Sequence, residues 1–316
     1  MPTDHTLRAA LLAVFVTILW ASSWVLIRIG LDTGELSPIG FAGLRYGLAA
    51  LVVWATLGPL RRRQIRRLTP SRLGELAVLG IVFYALTQGS QFVAIAHQPA
   101  ATTSLILSFT PLLTAVVAVF FLGERITPIQ IAGMLAVAGG ATLYFTGSLG
   151  ATVVGMTAAV VCLGANTASS VMGRNINRRA GADPRIVTVV SMSVGAVILL
   201  IIGAVLEGIR LPNAEGMVIV AWLAVVNTAW AFVLWNRSLI HLPAATSAVI
   251  NNLMLVEIAV LAWLFLDERP SVGQVVAISV VTVGVVAGGG ALGAVRASRS
   301  AGEEQQTSPP PTAPDR

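Results

Sequence analysis

Lysine is absent from this chain of 316 residues, and its twenty basic residues are all arginine. A nucleotide-binding P-loop needs a lysine to bind phosphates, and a retinal Schiff base needs a lysine amine. The sequence therefore excludes a Walker-type ATPase site and a rhodopsin chromophore.

Cysteine and histidine are scarce. The one cysteine, Cys162, excludes an intramolecular disulfide and a multi-cysteine metal site. His5, His97 and His241 are too far apart to suggest a metal centre. All five aspartates lie outside the long apolar segments and no G-x-S-x-G sequence occurs, which argues against an intramembrane protease or a serine hydrolase. We expect no metal, no cofactor and no enzymatic activity.

Charged residues make up 11% of the chain, whereas hydrophobic residues make up 56%, and soluble domains do not have this composition. Charge-free segments of about 20 residues are typical of transmembrane helices. The sequence predicts an all-α membrane protein with ten transmembrane helices. These lie at residues 8–29, 38–58, 73–94, 100–121, 128–146, 151–172, 186–206, 216–236, 244–265 and 272–292.

Arginines cluster in two predicted loops, residues 59–72 and 173–185. The positive-inside rule places both loops in the cytoplasm, and ten spans then place both termini there. We expect a multi-pass protein of the cell (inner) membrane whose N-terminus is residues 1–7 and whose polar, proline-rich tail, residues 297–316, is disordered. The basic loops favour membrane lipid, not nucleic acid, as their partner.

One segment occurs twice. Residues 94–130 recur as residues 238–274 at an offset of 144, with about 14 of 37 positions identical. HQPAATTSLI returns as HLPAATSAVI, and FLGER returns as FLDER. The two predicted halves, residues 8–146 and 150–292, contain five spans each, so they cross the membrane in opposite senses. Two inverted five-helix repeats are typical of secondary transporters.

Four further stretches add to this pattern: WASSW at 20–24, SPIGFAGLRYGLAA at 37–50, residues 111–124 ending in FLGE, and AFVLWNRSLIHLPAA at 231–245. In this order and spacing they resemble the drug/metabolite transporter (DMT) superfamily, and specifically EamA-type transporters, from about Leu11 to Gly290. The resemblance implies two inverted five-helix repeats, a central cavity and the movement of small metabolites, often amino acids, amines or related compounds.

The chain departs from the family at one point. The second-half counterpart of Pro111 is usually also proline and is frequently preceded by glutamate, whereas this chain has Leu255 and Met254 there. Glu257 lies two residues beyond. The substrate group of relatives with the Glu-Pro pair is therefore not transferred to this chain.

Two charged residues lie inside predicted spans, where charge is costly and commonly functional. Arg45 lies roughly 10 Å from the outer end of its helix and Glu257 roughly 12 Å, at a rise of 1.5 Å per residue. Their depths permit a salt bridge or an exchange of partners with a charged substrate. Arg45 could instead bond backbone carbonyls or extend to the interface, and Glu257 could be held neutral. The functional hypothesis is that Glu257 carries a coupling proton or pairs with a substrate amine.

Other polar and aromatic residues are candidates for lining a substrate cavity, although interhelical hydrogen bonds would explain them equally well. These candidates are Trp20, Ser23, Trp24, Gln88, Gln91, Asn166, Asn227, Trp230, Asn251 and Asn252.

The predicted function is secondary active transport, in the export direction, of a small metabolite by alternating access, with proton coupling as one candidate driving force. An uncoupled uniporter or exchanger, a channel and a structural membrane subunit stay open. We expect the protein to transport a small-molecule substrate. The sequence is compatible with both a monomer and a homodimer.

Overall fold

The computed structural model describes residues 4–33, 35–110, 113–114, 116–117, 128–145, 150–178, 183–208, 212–239 and 244–288. Every regular element in these ranges is helical, which confirms the all-α class. The predicted tail at 297–316 lies outside the described residues.

The helices follow in chain order: α1 (Asp4–Asp32), α2 (Pro38–Thr56), α3 (Pro59–Ile65), α4 (Pro70–Gly80), the π-helix π1 (Ile81–Gln88), α5 (Gly89–His97), α6 (Ala100–Leu107), α7 (Pro128–Phe145), α8 (Val153–Arg178), α9 (Pro184–Leu206), α10 (Ala214–Ala224), the π-helix π2 (Val225–Trp230), α11 (Ala231–Leu239), α12 (Ala244–Leu266) and α13 (Val272–Gly288).

Five helical stretches are long and apolar enough to cross a membrane: Leu7–Asp32, Pro38–Thr56, Pro70–His97, Val153–Gly173 and Pro184–Leu206. Shorter apolar stretches follow at Ala214–Trp230, Leu253–Leu266 and Val272–Gly284. Many large apolar side chains on these helices face outward, as Val205 does at 76% exposure. Such a surface suits hydrocarbon as its solvent.

Helix starts follow local chemistry. Pro38, Pro59, Pro70 and Pro184 each stand in the first turn of a helix, where a missing N–H leaves no hydrogen bond unmade. The Arg-rich loop contains the short helix α3, which the apolar pattern does not predict.

A capping box begins α13. The Ser271 backbone N–H donates to Gln274 Oε1 at 2.8 Å, and the Gln274 backbone N–H donates to Ser271 Oγ at 3.3 Å. These two bonds satisfy donors that a helix start leaves free.

Two carboxylates cap helices from a distance. Glu207, which follows α9, accepts from the N–H groups of Ile39 and Gly40 at 3.2 and 2.9 Å. Glu268, which follows α12, accepts from Ala100 N–H at 3.2 Å at the start of α6. Each glutamate therefore ties the end of one helix to the beginning of another, where a negative charge also complements the helix dipole.

Two helix pairs pack closely, α2 with α9 and α7 with α13. A Cβ on Gly140 would lie 2.7 Å from Val281 Cγ2 and 3.0 Å from the Ala277 carbonyl oxygen. The absence of a side chain at Gly140 therefore permits the close approach of α7 to α13.

The two π-helices are the main departure from the predicted fold. They interrupt Pro70–His97 and Ala214–Leu239, and each segment had been expected to be a regular α-helix. The start of π1 at Ile81 and the start of π2 at Val225 differ by 144 residues, the offset of the duplicated segment. π-Helical turns within α-helices frequently occur at functional sites.

Candidate functional site

Arg45 lies in the interior of the bundle, in the middle of α2. Its side chain is buried, and its Nε donates to Thr228 Oγ1 of π2 at 3.2 Å. The guanidinium carbon lies 5.2 Å from the centroid of the Tyr46 ring, within range of a cation–π contact. No carboxylate of the described residues is within ion-pair distance of Arg45, so the possible Arg45–Glu257 salt bridge is not formed in this structure.

Tyr46 joins α2 to π1. Its hydroxyl donates to Gln88 Oε1 at 2.6 Å, and its ring contacts that of Tyr84 with centroids 5.5 Å apart. Polar contacts therefore run from Gln88 in π1, through α2, to Thr228 in π2. The structure brings together Arg45 and Gln88, two candidates from the sequence, through Tyr46.

Asn227 is buried and joins π2 to α1. Its Nδ2 donates to the Leu19 carbonyl oxygen and, at 3.1 Å, to Ser22 Oγ. Its Oδ1 is buried without a hydrogen-bond partner among the described residues. Asn227 is therefore an interhelical link that keeps one acceptor free.

Glu257 lies on α12 against α1. Thr17 is fully buried, and its hydroxyl lies 2.8 Å from the Val14 carbonyl oxygen and 3.0 Å from Glu257 Oε1, so these two acceptors share its one proton. The other oxygen, Oε2, is buried and has no partner among the described residues. On a helical wheel Thr17 and Ser22 point about 140° apart at 100° per residue, so Glu257 and Asn227 contact different sides of α1.

The aromatic candidates separate into different environments. Trp24 is buried in the largest apolar cluster, together with Tyr46. Trp20 packs on Phe232, with ring centroids 5.4 Å apart. Trp230 is 48% exposed and contacts Phe15 edge-on. These residues do not form one wall.

The remaining polar candidates are dispersed. Ser23 is buried and donates to the Trp20 carbonyl oxygen at 2.6 Å, a bond within its own helix. Gln91 is buried in α5. Asn166 Nδ2 donates to Thr110 Oγ1 at 3.3 Å. The side chains of Asn251 and Asn252 lie outside the described set.

Three residues of this network were missed by sequence analysis: Thr17, Tyr46 and Thr228. Thr17 and Thr228 are lone hydroxyls in apolar segments, where a threonine commonly bonds only its own backbone. Their partners are 240 and 183 residues away in the chain. Tyr46 could have been predicted as a polar partner, because it is adjacent to the charged Arg45 in an apolar helix.

A separate cavity of about 950 Å³ opens at one end of the bundle. Its lining includes Arg28, Asp32, His97, Gln98 and Glu268. In this cavity Arg28 forms an ion pair with Asp32, at 3.2 Å, and donates a hydrogen bond to the Ile95 carbonyl oxygen, at 2.8 Å. This cavity is distinct from the contacts around Arg45 and Glu257.

Apolar helices of membrane-spanning length, linked through buried polar side chains, define a multi-pass membrane protein. The EamA-like transporter family matches residues 7–146 and again residues 151–287. The chain belongs to this family, and the resemblance to EamA-type members of the DMT superfamily is confirmed.

Named relatives are transporters. A protein of Streptantibioticus cattleyicolor named probable terminal-alkyne amino-acid exporter is 29% identical over 273 residues, which cover 83% of this chain and 87% of that protein. An uncharacterized transporter of Archaeoglobus fulgidus is 25% identical, with 83% and 91% covered. A protein of known crystal structure has a TM-score of 0.64 at 22% identity and covers 92% of this chain and 98% of its own, which shows a shared fold.

Proposed function

We propose that this EamA-family protein exports a small amino compound, such as an amino acid, in exchange for protons that bind at Glu257. The observation that carries the proposal is the Glu257 carboxyl group within an apolar helix. One oxygen accepts from Thr17 and the other has no partner among the described residues. A proton on Oε2 would remove the charge, which is costly inside a membrane, and leave a neutral hydroxyl in its place.

Protonation at this position can be coupled to movement between helices. Thr17 and Glu257 belong to α1 and α12, which pack against each other although their residues come from opposite halves of the sequence. An ionised carboxylate holds the Thr17 hydroxyl as a donor, whereas a neutral carboxyl holds it less strongly. Binding and release of the proton therefore change the strength of a contact between the two halves.

The proposed architecture is ten membrane spans in two inverted five-helix repeats, with both termini in the cytoplasm of a cell (inner) membrane. The duplicated segment and the Arg-rich loops support it. The helix pairs α2–α9 and α7–α13 also support it, because each joins helices at corresponding places in the two halves. In alternating access, the two repeats rock about a cavity between them.

Export of an amino compound is supported by the printed name of the Streptantibioticus relative. The substrate can be sought by thermal unfolding in detergent against amino acids, amines, purines, sugars and drugs. A ligand at ten times its dissociation constant raises the free energy of unfolding by about 1.4 kcal/mol. The strongest ligand then serves as the probe in proteoliposomes.

The test of coupling is the Glu257→Gln variant, which keeps the shape of the side chain but cannot exchange a proton. We expect uptake driven by a pH gradient to fall to background, while exchange of labelled for unlabelled probe continues. Glu215→Gln is the matched control, because Glu215 is an exposed glutamate in the first turn of α10. Gradient-driven uptake by Glu257→Gln equal to that of Glu215→Gln would show that the proton is carried elsewhere or that transport is uncoupled.

A further inference from the structure

We propose that Arg45 is the binding site for a carboxylate group of the transported substrate. This inference rests on the proposed function and adds a chemical requirement to it: the exported amino compound carries a negatively charged carboxylate. The proposal depends on how the Arg45 guanidinium is held and on which of its donors are left free.

Arg45 differs from the other arginines that the structure describes in detail. Arg28, Arg61, Arg72 and Arg269 each lie within 2.7 to 3.2 Å of a carboxylate oxygen. Those four are at least partly exposed, whereas Arg45 is 5% exposed and has no such carboxylate among the described residues. Other described arginines without a carboxylate partner, such as Arg62 and Arg185, are exposed. Arg45 is therefore the described arginine that is buried without a counter-ion.

The free donors of Arg45 are those that recognise carboxylates. A guanidinium has five N–H donors and does not lose its charge in proteins. Thr228 takes the Nε donor at 3.2 Å, and no described residue accepts from Nη1 or Nη2. These two groups form the planar fork that binds a carboxylate with two parallel hydrogen bonds.

A purely structural role predicts a different set of contacts. A structural arginine inside a membrane protein commonly donates to backbone carbonyl groups. Arg28 shows this use, because its Nη1 donates to the Ile95 carbonyl oxygen at 2.8 Å. Arg45 makes no such bond with the described residues. Its buried positive charge therefore requires an anion that the described part of the chain does not supply.

The surroundings hold the guanidinium in a fixed orientation. The Thr228 hydroxyl donates to the Leu223 carbonyl oxygen at 2.8 Å, which leaves its lone pairs for Arg45 Nε. The Tyr46 hydroxyl donates to Gln88 Oε1 at 2.6 Å, which fixes the ring against the guanidinium. Residues from π1 and π2 thus position Arg45 from both halves of the chain. One guanidinium balances one negative charge, which matches a carboxylate and not a doubly charged phosphate.

The experiment compares ligands that differ only in the carboxylate. Each proteinogenic L-amino acid and its carboxamide are tested for binding by thermal unfolding and for exchange in proteoliposomes. We expect at least one amino acid to bind about ten- to hundredfold more tightly than its amide, the range for a hydrogen-bonded charge. Arg45→Met should remove this preference, and Arg45→Lys should restore part of it because the cation returns without the planar fork.

A second variant protects the test against misfolding. Thr228→Val keeps the Arg45 charge but removes the acceptor that orients it, so we expect a reduced preference for acid over amide in a folded protein. Ser22→Ala is the control, because Ser22 contacts π2 through Asn227 and not through Arg45. It should keep the wild-type preference.

The outcomes separate this inference from the proposed function. Equal binding of acids and amides by the wild type, or an unchanged acid preference in Arg45→Met, overturns the carboxylate site while proton-coupled export of an amine can stand. Absence of binding by every acid in the panel also overturns it. A preference for the acid that depends on Arg45 supports the carboxylate site. If Glu257→Gln also leaves pH-gradient-driven transport unchanged, the coupling role of Glu257 is overturned while the carboxylate site stands.

Discussion

At the scale of single residues, the polar contacts depend on hydroxyl groups in apolar helices. Thr17 supplies the one recorded donor to Glu257, and Thr228 supplies the one recorded acceptor to Arg45 within the described part of the chain. The sequence marks the charged residue in each pair, because charge at membrane depth is rare. The sequence does not identify the hydroxyl partner of either charged residue, because residues this far apart in the chain meet only in the folded protein.

A residue outside the apolar helices offers a test by pH. Asp183 precedes α9 and its Oδ2 lies 2.7 Å from Arg61 Nε. Partial burial raises the pKa of the Asp183 carboxyl, but the hydrogen bond and charge of Arg61, together with the Arg185 N–H, outweigh burial and leave the pKa below its ordinary value. The pair therefore stabilises the fold above the ordinary aspartate pKa of about 3.9, and this contribution is lost as the pH falls through the lowered pKa.

We expect Asp183→Asn to lower the free energy of unfolding at pH 7 by about 0.2 to 1 kcal/mol, as for exposed ion pairs. The difference from the wild type should narrow as the pH falls below the ordinary aspartate pKa of about 3.9, and close once the pH is below the lowered pKa of the folded state. Denaturation in detergent across this pH range measures it. Asp267→Asn is the control, because the Asp267–Arg269 pair is 80% and 77% exposed. A gap between Asp183→Asn and wild type that stays constant with pH would contradict the ion-pair explanation.

At the scale of helices, apolar segments and helix-start chemistry were predictable, whereas the π-helices were not. Charge-free runs located the helices, and Ser271 and Gln274 form the capping box at the start of α13. Nothing local to residues 81–88 or 225–230 favours a wider helical turn. The first of these segments packs closely on α9, because a Cβ on Gly195 would overlap Tyr84 Cβ and the Gly80 carbonyl oxygen.

This packing predicts the effect of adding one methyl group. A Cβ at Gly195 would lie 2.6 Å from the Gly80 carbonyl oxygen, against backbone that cannot move aside. Gly195→Ala should therefore lower the free energy of unfolding by about 1 to 3 kcal/mol through overpacking. Gly164→Ala in α8 is the matched control, since no described residue outside its own stretch of helix lies within 4 Å of the added Cβ. It should be neutral or stabilising by up to about 1 kcal/mol. Equal unfolding midpoints for the two variants would mean that α9 does not pack on π1 in this way.

At the scale of the whole molecule, the sequence repeat and the structure agree on where the two halves correspond. The FLGER and FLDER segments differ at Gly123 and Asp267. Asp267 has a φ of 54°, a conformation that glycine adopts without strain, and the first copy has glycine at the matching position. The duplicated segment thus encodes a helix end, and its glutamate in the second half, Glu268, caps α6 of the first half. Substrate identity does not follow from the fold, because one fold supports many functions and the substrate is selected by the site.

The central claim is that export is exchange of substrate for protons. The most direct test loads proteoliposomes with a pH-sensitive dye, sets equal pH on both sides, and adds the amino acid that stabilises the wild type most in thermal unfolding. The account predicts that entry of the amino acid drives protons out, so that the lumen becomes alkaline, and that Glu257→Gln shows no such change. Entry of the labelled amino acid into wild-type vesicles without any change in luminal pH would contradict it.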